Sequence, residues 1–261
     1  MATLCVSPVS LDADWAVGAM FGGHLAAVLT DAAVDATSAG LVPVSTSVAF
    51  LRPALPGPAT VSATVVRAGR RYTVVSCTLE TDAGPAATAL VTLAPLDSLA
   101  VTPYSEPNEL PPEPADRDGA IAELVDWRTV TPWRDGSSTG RFESWFRLRE
   151  AEPAPQSGPE SDNARYLVAS DLIGPAIAAT GRALPFRIAT VALDVTVIAR
   201  SESPWLHQSI DVTVLENEAI ARLDLREPGG ALLATATHRI VLLPASDEEL
   251  PLSVTAFGWG R

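Results

Sequence analysis

The sequence predicts an α+β fold in which two antiparallel sheets each wrap around a long central helix. Three observations carry that expectation. Two stretches, one in each half, show the dense apolar recurrence of a helix with almost no polar face. Each is followed by a run of alternating, strand-like segments closed by turn residues. The order of these elements then recurs at an offset of about 147 residues, with Gly84 mapping to Gly230 and Val61 to Ile210.

In the first half, residues 1–20 form a lead-in that contains Trp15. Met20-Phe21-Gly22-Gly23-His24 opens an Ala-rich run, Leu25 to Ala39, closed by Gly40. Leu25, Val28, Leu29, Ala32 and Ala33 fall on one stripe of a helix. Val44 to Arg52 reads as a strand stopped by Pro53, Pro56 and Pro58, and Thr60 to Val66 alternates as a second. Tyr72 to Glu80 runs into the turn Thr81-Asp82-Ala83-Gly84-Pro85, and Ala86 to Leu93 returns. Residues 98–119 hold five prolines and several acids and read as an exposed linker. The expected division is an N-terminal unit over 1–97, a linker over 98–122 and a C-terminal unit over 123–261.

In the second half, Phe142 to Arg149 alternates as a strand, and residues 151–163 read as a loop. The helix spans Arg165 to Gly181, with Gly181 suited to its left-handed terminus. Thr190 to Arg200, Ser209 to Leu215, Ala219 to Leu225 and Ala231 to Leu243 follow as strands, the last two joined by the turn Glu227-Pro228-Gly229-Gly230.

Asp171 lies in the middle of the second helix with no basic residue three or four positions away. A carboxylate buried there is costly unless something pairs with it or uses it. Gly174-Pro175 removes a helical donor and predicts a kink just after Asp171.

Composition narrows the chemistry. With 31 acidic against 18 basic residues the net charge is -13, which argues against nucleic acid and anionic membranes as partners. All the basic residues are Arg, so a lysine Schiff base is excluded. The three His, at 24, 207 and 238, have no ligand spacing, and Cys5 and Cys77 make no framework, so neither a metal nor a disulfide is expected. Cys77 on its alternating strand reads as a structural thiol, and no Gly-x-Ser-x-Gly elbow is present. Without a leader-like start or an 18-residue apolar run, the chain reads as cytoplasmic.

Three motifs, in order, resemble the bacterial acyl-CoA thioesterase II family: Phe21-Gly22-Gly23-His24 before a helix, Phe50-Leu51-Arg52-Pro53 on the next strand, and Ala169-Ser170-Asp171 in the second helix. The resemblance covers roughly residues 10–97 and 125–245. It implies a double hotdog and hydrolysis of fatty acyl-CoA thioesters, with coenzyme A only as part of the substrate and no cofactor. It is compatible with a homo-oligomer of such doubled units.

The resemblance also implies a site in the second hotdog, where an Asp on the helix, a Thr on the following strand and a Gln on the last strand hold the attacking water. The Asp matches Asp171. The family's aspartate two residues past the Thr matches Asp194, which places Ala192 at the hydroxyl position. Thr190, two residues earlier and expected on the same strand face, is the hydroxyl placed to substitute. The Gln position falls on His238, which would hold the water or act as base with Asp171 orienting it. Gly22 and Gly23 leave bare amides at a helix start that could accept an oxyanion or a carboxylate, with His24 beside them. Arg67, Arg70 and Arg71, with Arg52 and Arg200, are the candidates for the phosphates of coenzyme A. Two other functions fit the same residues: a catalytically decayed acyl-CoA or lipid-binding protein, and an enzyme acting on another acyl thioester.

Overall fold

In the computed structural model, residues 4–111, 123–130, 139–149, 161–180 and 186–244 are described. The first half runs β1 (Leu4–Leu11), α1 (Gly22–Asp35), β2 (Leu41–Phe50), β3 (Gly57–Ala68), β4 (Thr73–Thr81) and β5 (Gly84–Pro95). The second runs β6 (Val125–Thr129), β7 (Thr139–Leu148), α2 (Ser161–Asp171), α3 (Gly174–Ala179), β8 (Phe186–Val197), β9 (Leu206–Val214), β10 (Glu218–Arg226) and β11 (Leu232–Pro244). Both halves therefore place a helix ahead of four strands, as the repeat predicted; the last three of each form a meander, and the first pairs with the last. The hairpin glycines Gly84 and Gly230 share a left-handed conformation, φ +97° and +98°.

The two expected sheets are one. Eleven strands form a single antiparallel sheet in the order β1-β3-β4-β5-β2-β8-β11-β10-β9-β7-β6. The seam is the pairing of β2 with β8, where Ser45 to Ala49 lie opposite Thr196 to Ala192. Joining there turns two exposed edges into interior strands. Ser47 faces Asp194 and donates a hydrogen bond to its carboxylate, and the two are 147 residues apart, the spacing of the repeat. Equivalent residues thus meet at the seam, which marks a pseudo-twofold axis between them.

One face of the sheet carries the core. Along β4, Thr73, Val75, Cys77 and Leu79 are buried; along β10, Ala219, Ala221, Leu223 and Leu225 are buried. That period of two is what presents one face of a pleated strand to the helices. Burial pushes the Cys77 thiol up to about 12, so this buried sulfur remains protonated and unreactive.

The second helix is not one long rod. It ends at Asp171 and resumes at Gly174 as a single short turn pair, α3. Pro175 offers no N–H to the carbonyl of Asp171. That carbonyl instead accepts from the Ile173 amide at 2.9 Å, and within the backbone the Leu172 amide reaches Ala169 O only at 3.3 Å. The break falls where Gly174-Pro175 predicted a kink. Gly181, expected to close this helix, lies outside the described residues, as do 151–160 of the expected loop; residues 161–163 instead open α2.

The described part of the linker is tied down. Ala100–Thr102 pairs in parallel with Ala199–Ser201, and the Ser105 hydroxyl donates to the Glu227 carboxylate. Residues 112–122 lie outside the described residues.

Candidate active site

Where α1 begins, α2 ends. Gly23 packs so closely on α2 that a Cβ there would lie 2.8 Å from Leu167 O and 2.8 Å from Val168 Cα. A Cβ on Gly22 would lie 2.8 Å from Asp171 Oδ2. Only glycine permits this approach, which is the physical content of the Phe21-Gly22-Gly23-His24 motif. Gly23→Ala meets backbone on two sides, so it is expected to destabilise the fold by about 2–3 kcal/mol. Gly22→Ala meets a carboxylate tip and should displace Asp171 more than it unfolds the chain. Urea unfolding of both variants checks this; equal, negligible losses would mean the helices separate freely.

The Asp171 carboxylate closes the gap. Its Oδ2 accepts from the Gly23 amide at 2.8 Å, and its Oδ1 accepts from the Thr190 hydroxyl at 3.2 Å. His238 Nδ1 stands 3.6 Å from the same Oδ1. The side chains are 4% and 0% exposed. The partner that the sequence left unnamed is therefore the start of the other half's helix, whose dipole favours negative charge. The Gly23 N–H, a candidate for an oxyanion, is already given to this carboxylate.

Burial governs both ionisations. It pushes Asp171 up to about 7, against the Gly23 amide, the Thr190 hydroxyl and the Gly22 amide, which favour the carboxylate. It pushes His238 down to about 4, partly opposed by the backbone of Ser170. Near neutral pH the imidazole is uncharged and the carboxyl is poised between its two forms. Among the described residues, neither His238 nitrogen makes a well-formed hydrogen bond, and neither does the buried Ser170 hydroxyl. Buried polar atoms left open in this way mark a place where water or a ligand group belongs.

Thr190 reaches Asp171 by a route that simple alternation does not give. Between Thr190 and Ala192 the pairing of β8 with β11 shifts by one residue, leaving Val191 bulged. Val191, which alternation would place inside with Leu193 and Val195, is 39% exposed. The bulge turns Thr190 inward instead, so Thr190 does not share a face with Ala192, as had been expected. His238 lies opposite Leu193, itself buried, and so points to the same interior.

His24 belongs elsewhere. Its ring stacks on Trp15 at 5.1 Å, and it makes no hydrogen bond to Asp171. Burial lowers its pKa, with Asp12 acting in the opposite sense. Arg67, Arg70 and Arg71 stay exposed around the β3–β4 hairpin, while Arg52 donates to the carbonyl of Ala83.

Sequence reading missed two buried polar groups around α2. Arg165 donates to the carbonyls of Ser201, at 2.7 Å, and Ser203. Gln208, fully buried on β9, donates from Nε2 to Ala169 O at 2.7 Å and accepts from the Ser144 hydroxyl at 2.7 Å. A polar residue in register with Ile210, Val212 and Val214 on the buried face was the available signal.

Comparison with known proteins adds to this geometry. Residues 11–94 match the model of the family described as Acyl-CoA thioesterase N-terminal domain. Both first-half motifs, Phe21 to His24 and Phe50 to Pro53, lie inside the thioesterase match; Asp171, Thr190 and His238 lie outside it. Among solved structures, a Thermobifida fusca protein described as a thioesterase II is 27% identical, with a TM-score of 0.72 over 91% of this chain and 92% of its own. A hot dog fold protein of Alicyclobacillus acidocaldarius is 20% identical, with a TM-score of 0.74 over 92% and 94% of the two chains. An acyl-CoA thioesterase II of Mycobacterium marinum is 18% identical, with a TM-score of 0.67 over 88% and 92%. The fold is thus the hotdog fold. No curated protein matches the thioesterase-like sequence.

Proposed function

We propose that this chain is a double-hotdog hydrolase that cleaves acyl-CoA thioesters with a water activated at Asp171. The observation that carries the reading is the buried cluster itself. A carboxyl poised near neutrality is fixed on one oxygen by Gly23 and on the other by Thr190, and it faces an imidazole that makes no well-formed hydrogen bond among the described residues. A base works best when its pKa lies near the working pH.

In the reaction, His238 holds the water and the ionised Asp171 takes its proton as oxygen attacks the thioester carbon. The tetrahedral intermediate then expels the coenzyme A thiolate. The proton held on Asp171 passes to that sulfur, giving the free acid and the thiol. Thr190 keeps the carboxylate in orientation, and His238 remains uncharged throughout.

Free-thiol release from short, medium, long and aromatic acyl-CoAs tests this. Turnover should rise with pH through about 7, because burial raises Asp171 and only the ionised form is a base. A rate that falls with pH over that range would remove Asp171 as the base. The enclosure of both side chains, together with Ala192 at the family's hydroxyl position, favours a second reading: a protein that binds acyl-CoA without cleaving it. Saturable binding with no thiol release from any member of the panel would establish it.

A further inference from the structure

We infer that Gln208 is a positioning residue of this site, holding the Asp171 carboxylate in place through the backbone at the end of α2. The inference rests on the reading of Asp171 as the base.

The helix break creates the need. In an unbroken helix the Ala169 carbonyl would accept from the Ile173 amide. Here that amide turns to the carbonyl of Asp171, and Leu172 N reaches Ala169 O only at 3.3 Å. The carbonyl two residues before the carboxylate is left weakly held inside the core. A buried carbonyl without a good partner is costly, and a helix end without one is free to shift.

Gln208 supplies the partner from the sheet. Its Nε2 lies 2.7 Å from Ala169 O. The amide has one orientation available: a carbonyl can only accept, so Nε2 must face Ala169, and Oε1 must face the Ser144 hydroxyl, which then donates at 2.7 Å. Ser144 and Gln208 are directly opposed on β7 and β9, so the pair is anchored to two strands at once. Both residues are 0% exposed. The chain Ser144–Gln208–Ala169 therefore ties the last turn of α2 to the sheet, and Asp171 projects from that same turn towards Gly23, Thr190 and His238.

Gln208→Met removes the donor while keeping volume. It should lower kcat about ten- to hundred-fold with KM within about two-fold, because misplacing the base affects chemistry more than binding. The ¹⁵N resonances of His238, followed over pH, report the ionisation of Asp171 beside it. Their inflection should move by about half a unit or more in Gln208→Met. Ser144→Ala, which keeps the donor but frees its orientation, should show the same two effects more weakly. If Gln208→Met does not fold, Ser144→Ala carries both measurements. If wild type shows no turnover with any substrate, the hydrolase reading fails and the inflection alone decides the role of Gln208. A folded variant with wild-type kcat and an unmoved inflection overturns the inference.

Discussion

Asp171→Asn is expected to lower thioester turnover by ~10²–10⁴-fold with little change in fold. The substitution keeps the shape of the side chain. Its carbonyl oxygen can still accept the Gly23 amide, so the join between α1 and α2 survives. What disappears is the group that takes a proton from water. His238, held near 4 by burial, is too weakly basic to replace it efficiently at neutral pH. Thiol release under saturating substrate measures the loss. A variant within two-fold of wild type would make Asp171 a buried helix cap and nothing more.

The second large effect is on stability, and it has opposite signs in two variants. Burial raises Asp171 from 3.8 to about 7, so from about pH 4 to 7 the folded chain binds more protons than the unfolded one. Stability falls as pH rises through that window, by about 4 kcal/mol for this group alone. Burial lowers His238 from 6.5 to about 4, so over that range the unfolded chain binds more protons. Stability rises with pH there, by about 3 kcal/mol. In the wild type the two trends nearly offset below pH 6.5. His238→Gln should uncover the falling trend and Asp171→Asn the rising one. Urea midpoints at pH 4.5, 5.5 and 6.5, taken as differences from wild type, give the slopes. Two variants that both run parallel to wild type would mean neither group is enclosed in solution.

Much of this arrangement is legible in the sequence. The kink at Gly174-Pro175 follows from a missing donor, and the repeat follows from turn residues at matched spacing. The candidate set Asp171, Thr190 and His238 comes together in space. What escaped the sequence has physical reasons. The seam between β2 and β8 joins Ser/Thr/Ala-rich segments that carry no local signal of what they pair with. The inward turn of Thr190 depends on a one-residue slip, and alternation alone points that residue outward. The hold of Gly23 on Asp171 spans 148 positions, so no periodicity could announce it. Gln208 was visible as a polar residue on an apolar face, but its purpose depends on a carbonyl freed elsewhere.

The pseudo-twofold seam has one more consequence. Gly23 and Asp171 are separated by almost the repeat length, so the contact between them sits close to the axis. A symmetric pairing of two identical copies of the second half would crowd two carboxylates into the same dry spot, where like charges repel. Holding both copies in one chain lets them differ there. The first offers Gly22-Gly23, an amide with no side chain in the way; the second offers the acid. Fusion turns a point of mutual repulsion into a lock-and-key between unequal halves, with one carboxylate at the join in place of two.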